Sequence, residues 1–237
     1  MKKIIVNAYT NRQEIFEYSK LKPSSEFVPS WWKDLPSKPE LVNTQEYLGY
    51  KLNMRGCPGF VDLYKLGYML PLWSDLLVEV GAKGDTSYRW QFSDQYSDAT
   101  VHPDHQRNKF LPDTEYQHIK INAPWLLETK EDLNWAVVPP TWNVDNPENI
   151  IIPPGVLNFK YQRQINANLL FKRDKESKII KIKFHQPLMQ IIPLTEKPVE
   201  FRFHLISNEE WENRKNAGGY GCIFSRSYYK LKSLMHK

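Results

Sequence analysis

Pro154-Gly155-Val156-Leu157-Asn158-Phe159-Lys160-Tyr161 is the stretch whose reading decides the fold of this chain. Glycine after proline sets a turn, and an extended apolar pattern leaves it. The alternating run Arg163–Phe171 follows, and then Gln186-Pro187-Leu188-Met189-Gln190-Ile191-Ile192-Pro193-Leu194. Asp174 and Lys175 sit at the tip of a predicted hairpin, framed by Leu169-Leu170-Phe171 and Ile179-Ile180. Turn, strand, hairpin and strand predict a compact all-β core. On this reading Leu157 to Leu194 are consecutive paired ribbons of one barrel-like wall.

Working outward, strands are predicted at His118–Ile121, Trp135–Val138, Ile150–Ile152, Leu157–Tyr161, Ile165–Phe171, Ile179–Phe184, Leu188–Leu194 and Val199–Leu205. Upstream, Lys3–Tyr9 reads as a strand and Asn11–Ser19 as a short helix capped by Asn11. Trp31-Trp32 falls in a Pro-punctuated loop with a helical turn from Ser30 to Leu35. It is expected to plug the core edge or form a subunit contact, with a ligand platform as the alternative. Gly59–Lys65 makes a turn of helix after Pro58. Tyr68–Val80 is a strand interrupted at Pro71 and ends in a Gly81/Gly84 hairpin signal. Ser87–Phe92 puts Tyr88, Trp90 and Phe92 on one sheet face. Ser93–Thr114 reads as a long polar loop. Ser207-Asn208-Glu209-Glu210 is a capping box for a helix from Glu209 to Asn216, stopped at Gly218-Gly219. The division is one domain over 1–237: an N-terminal segment 1–66, a β core 67–206, and a C-terminal helix and arm 207–237.

Composition narrows the function classes. The chain has 237 residues, 14% aromatics, 17 prolines and only 10 glycines, which favours sheets and ordered loops over a helical bundle. Its net charge of +5 points to an anionic partner only faintly, because the basic residues are scattered. The exceptions are Lys178–Lys183 and the tail Arg226, Lys230, Lys232 and Lys237. Without a basic stripe, nucleic acid is not an expected partner. Cys57 and Cys222 lie far apart with no metal-type spacing, which suits free thiols in a reducing cytosol. No apolar run is long enough for a signal core or a membrane span, so a cytoplasmic protein is expected. No phosphate-cradling glycine loop and no nucleophile elbow is present. Asp62, Asp75 and Glu79 are acid–base candidates with nothing to set them in a cleft.

Pro139-Pro140-Thr141-Trp142-Asn143, then Gly155–Tyr161, then Leu188-Met189-Gln190-Ile191-Ile192 resemble three consecutive motifs of dUTPases and the related dCTP deaminases. Arg214 followed by Gly218-Gly219-Tyr220-Gly221 is similar to the Gly-rich arm of that family. The resemblance covers roughly the second half of the chain. It implies a jelly-roll or β-clip barrel or sandwich, mainly β, with a few short helices near the termini. It also implies a site for a nucleotide or other small anion at Asn158, Tyr161, Gln190, Arg214 and Tyr220. Sites of this kind form between subunits, so a homo-oligomer is implied too. The chemistry departs from the family. Asn158 stands where the catalytic acid is expected, and an amide cannot serve as a general base. Thr141-Trp142 replaces the phosphate-clamping Arg-Ser. Gln162 and His185 stand where glycines are usual. The expectation is a non-catalytic ligand-binding or assembly module with no cofactor named. The whole chain also resembles a protein family of marine bacteriophages and bacteria without an established activity, through Val28-Pro29-Ser30-Trp31-Trp32, Gly67-Tyr68, His102-Pro103, Pro124-Trp125, Pro140 and Pro187–Pro193. That resemblance implies a phage origin and no mechanism.

Two further classes stay open. His102-Pro103-Asp104 has the His-x-Asp spacing of an iron and 2-oxoglutarate oxygenase. His204 or His185 would be its distant third ligand, and Arg214 lies ten residues after His204. Zinc at His102, His105 and His118 has less support, since no closed Cys/His spacing accompanies it. A structural or virion-associated protein is the remaining class.

Overall fold

The computed structural model describes residues 2–38, 40–43, 48–51, 53–102, 105, 110–143 and 149–216. These form a mainly-β sandwich with short helices and, among the described strands, no closed barrel. One sheet contains, in order, β11 (Ile150–Ile151), β13 (Gln164–Lys172), β9 (Tyr116–Glu128), β1 (Ile4–Thr10) and β16 (Val199–Leu205). Strand β8 (Ala99–Val101) also pairs with β9. The second sheet runs β12 (Gly155–Leu157), β10 (Trp135–Val138), β15 (Pro187–Pro193), β5 (Tyr68–Pro71) and β2 (Lys22–Pro23). A third sheet joins β14 (Lys178–Ile182), β6 (Leu76–Val80) and β7 (Arg89–Phe92), and β3 (Glu40–Asn43) forms a hairpin with β4 (Leu48–Lys51). The helices are α1 (Gln13–Tyr18), α2 (Ser30–Lys33), α3 (Pro58–Lys65) and α4, from 208 to 216.

Period-two patterning explains the layers. In β1 the side chains of Ile4, Val6, Ala8 and Thr10 are buried, and those between them are only partly covered. One continuous core takes in Val6, Leu70, Val78, Trp125, Trp135, Phe159, Phe171 and Ile191, from all three sheets. Trp125, Trp135, Phe159 and Phe171 are among the largest fully buried side chains. Each such burial stabilises by about 2–3 kcal/mol before conformational entropy is counted. A satellite cluster of Phe60, Tyr64 and Met69 lies under α3, with Trp32 packed against it.

Several expectations from local pattern change here. Strands β13 and β14 do not form the expected hairpin, because β13 pairs with β9 and β11 while β14 pairs with β6. The stretch from Leu157 to Leu194 is therefore shared among three sheets and is not one wall. Strand β12 ends at Leu157, so Asn158–Tyr161 is a turn and not a strand. The segment expected as one long loop contains β8. Asn11 does not cap α1; Arg12 holds that position, and the Asn11 amide bonds Asn208 instead. Half of the capping box is seen: the Ser207 hydroxyl accepts from the Glu210 amide at 3.2 Å, while the Glu210 carboxylate turns to Arg214. Gly218-Gly219, Tyr220 and the C-terminal arm lie outside the described residues.

The feature that positions the site is a break in β9. Gln164 pairs with Leu126 and Asn166 with Asn122, so Ala123, Pro124 and Trp125 bulge opposite Ile165 alone. Pro124 has no amide hydrogen to give a ladder, which is why proline in a sheet falls at such a bulge. On the other edge of β9, β8 pairs with Ile119–Ile121 and β1 with Leu126–Glu128. Ala123, Pro124 and Trp125 pair with neither, and an opening is left between the start of β8 and the end of β1. The Trp125 side chain turns inward, where its indole nitrogen donates to the Ser19 carbonyl at 2.9 Å. The bulge thereby fastens the C-terminal end of α1.

Gly67, between α3 and β5, shows how closely the layers approach. It has φ +65°, and a Cβ there would stand 2.2 Å from the Ile191 carbonyl oxygen. Gly67→Ala is expected to cost more than about 2 kcal/mol, because both the left-handed backbone and the contact oppose it. Urea unfolding measures this, and a loss below about 1 kcal/mol would contradict the close approach.

Candidate functional site

The opening beside the β9 bulge is a cleft of about 730 Å³. Asn122, Ala123 and Pro124 of β9 and Gln164 of β13 form its floor. Asn11 to Glu14, where β1 passes into α1, form one wall. Tyr96, Ser97 and Asp98, just before β8, form the facing wall with Trp73 behind them. Helix α4 closes the third side with Asn208, Trp211, Glu212 and Lys215.

Specific bonds hold each wall. Asp94 organises the segment carrying Tyr96: its carboxylate accepts from the Tyr96 amide at 2.7 Å, the Ser97 amide at 2.6 Å and the Ser97 hydroxyl at 2.6 Å. Burial pushes the Asp94 pKa up, but the hydrogen bonds from Ser97, Ser74 and the backbone together bring it below the usual carboxylate range. Ser97 also accepts from the Trp73 indole at 2.8 Å. Arg12 crosses between the walls with its side chain only 13% exposed. It pairs with Glu14 at 2.6 Å and Asp94 at 3.4 Å and lies 5.4 Å from the Tyr96 ring centre.

Helix α4 is pinned by charge and packing. Arg214 pairs with Glu128 at 2.9 Å and Glu210 at 2.8 Å, and lies 3.9 Å from the Tyr9 ring centre. Arg163 pairs with the same Glu128 at 3.1 Å and donates to the Arg214 carbonyl at 3.4 Å. Asn11 donates to the Asn208 side chain at 2.9 Å, and Trp211 is buried. The cleft is thus polar and held on all sides, with its principal guanidinium already paired.

The residues singled out in the sequence fall elsewhere. Asn158 and Tyr161 are brought together, but around Asp132. The Asn158 amide donates to Asp132 at 2.8 Å and to Asn134 at 3.2 Å, while the Tyr161 hydroxyl donates to Asp132 at 2.8 Å. Those bonds, from Asn158 first and Tyr161 second, hold the Asp132 carboxyl below its ordinary range, and Asp132 in turn raises the Tyr161 phenol. Gln190 is buried and gives its amide to the Leu63 and Leu66 carbonyls, each at 2.8 Å, closing the end of α3. Arg214 belongs to the α4 anchor. Tyr220 lies outside the described residues.

The histidines are dispersed. His102 stacks on His118 at 5.2 Å, beside β8. His204 stacks on Tyr9 at 5.0 Å and bonds Asn7 at 3.0 Å. Tyr9 pairs with Leu126, eight residues along β9 from His118, a span of roughly 20 Å or more at strand rise. The structure therefore does not bring His102 and His204 together, and Asp104 lies outside the described residues. Among the described residues no group of three or more His, Cys, Asp or Glu could hold a metal. His185 has φ +66° in the turn before β15, the backbone state its expected glycine would adopt, and its ring bonds the Tyr18 carbonyl at 2.7 Å.

Sequence reasoning missed Arg12, Tyr96, Asn122, Gln164 and Trp211 as a group. The only local signal was Pro124 inside an apolar, strand-like run. No protein-family model matches the chain, and no curated protein matches it. No helix among the described residues is long and apolar enough to cross a membrane.

The Asp132 turn explains why residue 158 is an amide. Asn158→Asp would set two carboxylates about 3 Å apart and raise the pKa of one of them. Its cost is expected to be about 1–3 kcal/mol near neutral pH. Because the folded-state pKa is raised, that cost shrinks as pH falls toward about 4. Denaturant unfolding at both pH values tests this, and a pH-independent cost would refute it.

Proposed function

We propose that this protein is a non-catalytic ligand-binding module and that its site is the cleft at the break in β9. The observation that carries the reading is the cleft itself. A volume of about 730 Å³ lies within the range of small-molecule sites, and three walls tied to one another by Arg12–Asp94 and Asn11–Asn208 converge on it. The lining carboxylates support binding over acid–base chemistry. Glu14 is paired with Arg12, Glu212 lies 4.0 Å from Lys215, and Asp98 accepts from the Ala99 amide at 2.7 Å. A nucleotide-type site around Asn158, Tyr161, Gln190 and Arg214 has less support, since each side chain is already bonded: Asn158 and Tyr161 to Asp132, Gln190 to the end of α3, and Arg214 to Glu128.

Thermal-shift measurements on the full chain test the proposal, with a panel of sugars, nucleosides, nucleotides, amino acids and small anions. At least one class is expected to raise Tm. Asn122→Trp, which fills the cleft floor, should abolish that rise while keeping a native far-UV spectrum. Asn158→Ala should leave it intact. A rise that survives Asn122→Trp, or no rise from any class, would refute the assignment.

A further inference from the structure

This inference rests on the cleft reading and names the class of ligand. We infer that the cleft takes a neutral saccharide, bonded by the side-chain amides of its floor and stacked on Tyr96.

Charge comes first. Phosphate and carboxylate ligands are held by available guanidinium forks. The Arg12 fork is committed to Glu14 and Asp94, at 2.6 and 3.4 Å, and is mostly covered. The other lining cation, Lys215, has Glu212 beside it at 4.0 Å. Asp98 adds a further negative charge to the lining. An anion entering here would lose its hydration and meet no unpaired clamp, whereas a neutral polar ligand carries no such cost.

The donor and acceptor inventory then selects hydroxyls. Asn122 and Gln164 line the floor from adjacent strands. Each amide presents a donor and an acceptor side by side, so one side chain can bond two neighbouring hydroxyls, giving to one and accepting from the other. A carboxylate such as Asp98 accepts from hydroxyls alone. Sugars supply rows of groups that both donate and accept.

The aromatic geometry fits the same ligand. Tyr96 is 68% exposed, although its own amide and the amide and hydroxyl of Ser97 all donate to Asp94 and fix its backbone. With Arg12 near the ring at 5.4 Å, the rest of this aromatic surface stays wet. An exposed, held ring offers an apolar platform to the C–H face of a pyranose. A nucleobase is usually gripped between two apolar faces, while Trp73 and Trp211 are buried at 5% and 9% exposure. The cleft volume leaves room for a short oligosaccharide.

Isothermal titration and saturation-transfer NMR on the full chain test the inference. The probes are neutral gluco-, manno-, xylo- and chito-oligosaccharides, uncharged nucleosides, and sugar phosphates. At least one neutral oligosaccharide series should bind, with an affinity that hardly changes with salt. Tyr96→Ala and Gln164→Ala should each weaken it roughly tenfold. Tyr96 is exposed enough to be replaced without loss of the fold. If nucleosides or sugar phosphates bind and neutral saccharides do not, with Asn122→Trp blocking the binding, the saccharide assignment falls and the cleft reading stands. If none of these probes binds, the saccharide assignment falls, and the cleft reading falls with it when the wider thermal-shift panel is silent too; binding that persists in Asn122→Trp overturns both.

Discussion

Pro124 has no amide hydrogen, and it sits within a strand of 13 residues that runs through the centre of the larger sheet. That missing donor governs the architecture around it. A ladder cannot continue through residues 123–125, so β9 bulges and its far edge passes from β8 to β1 with a gap between them. The gap is where the cleft opens. The same bulge rotates Trp125 into the core and ties it to Ser19, which sets the position of α1 and of Arg12 ahead of it. One backbone constraint thus creates the opening and places one of its walls.

The other walls depend on charges that are individually modest. Exposed ion pairs contribute about 0–1 kcal/mol. The pairs at α4 are better placed: Glu128 and Arg214 are about 30% exposed, share a network with Arg163 and Glu210, and stand beside the Tyr9 ring. Trp211 adds an apolar anchor to the same helix. Asp94 acts likewise on the opposite wall, where it fixes the Tyr96 backbone and neutralises Arg12. The arrangement spends its charges on holding the cleft, and the uncharged amides remain for whatever enters.

Much of the fold was legible locally. Trp135–Val138 and Val199–Leu205 are strands with the expected ends, and α3 begins at Pro58. These segments carry strong period-two or start-of-helix signals that tertiary contacts reinforce. Partner choice was not legible. Leu169–Phe171 and Ile179–Ile180 look like the two arms of a hairpin, yet each pairs with a strand far away in sequence. Nothing in a local window encodes that choice. The candidate site was less legible still. Asn158 drew attention as a substituted acid, but its meaning lies in Asp132, 26 residues earlier, which occupies the space a second carboxylate would contest. Arg12 and Tyr96 sit in turn-forming stretches with no motif, and only the sheet brings them together.

The central claim is that the break in β9 is the binding surface. Backbone amide chemical-shift mapping of the labelled full chain, titrated with the tightest-binding probe, tests it most directly. The account predicts that the shifted amides cluster at residues 11–14, 96–98, 122, 123, 125 and 208–215. Shifts centred instead on the turn of Asn158 and Tyr161, or on His102 and His118, would contradict it.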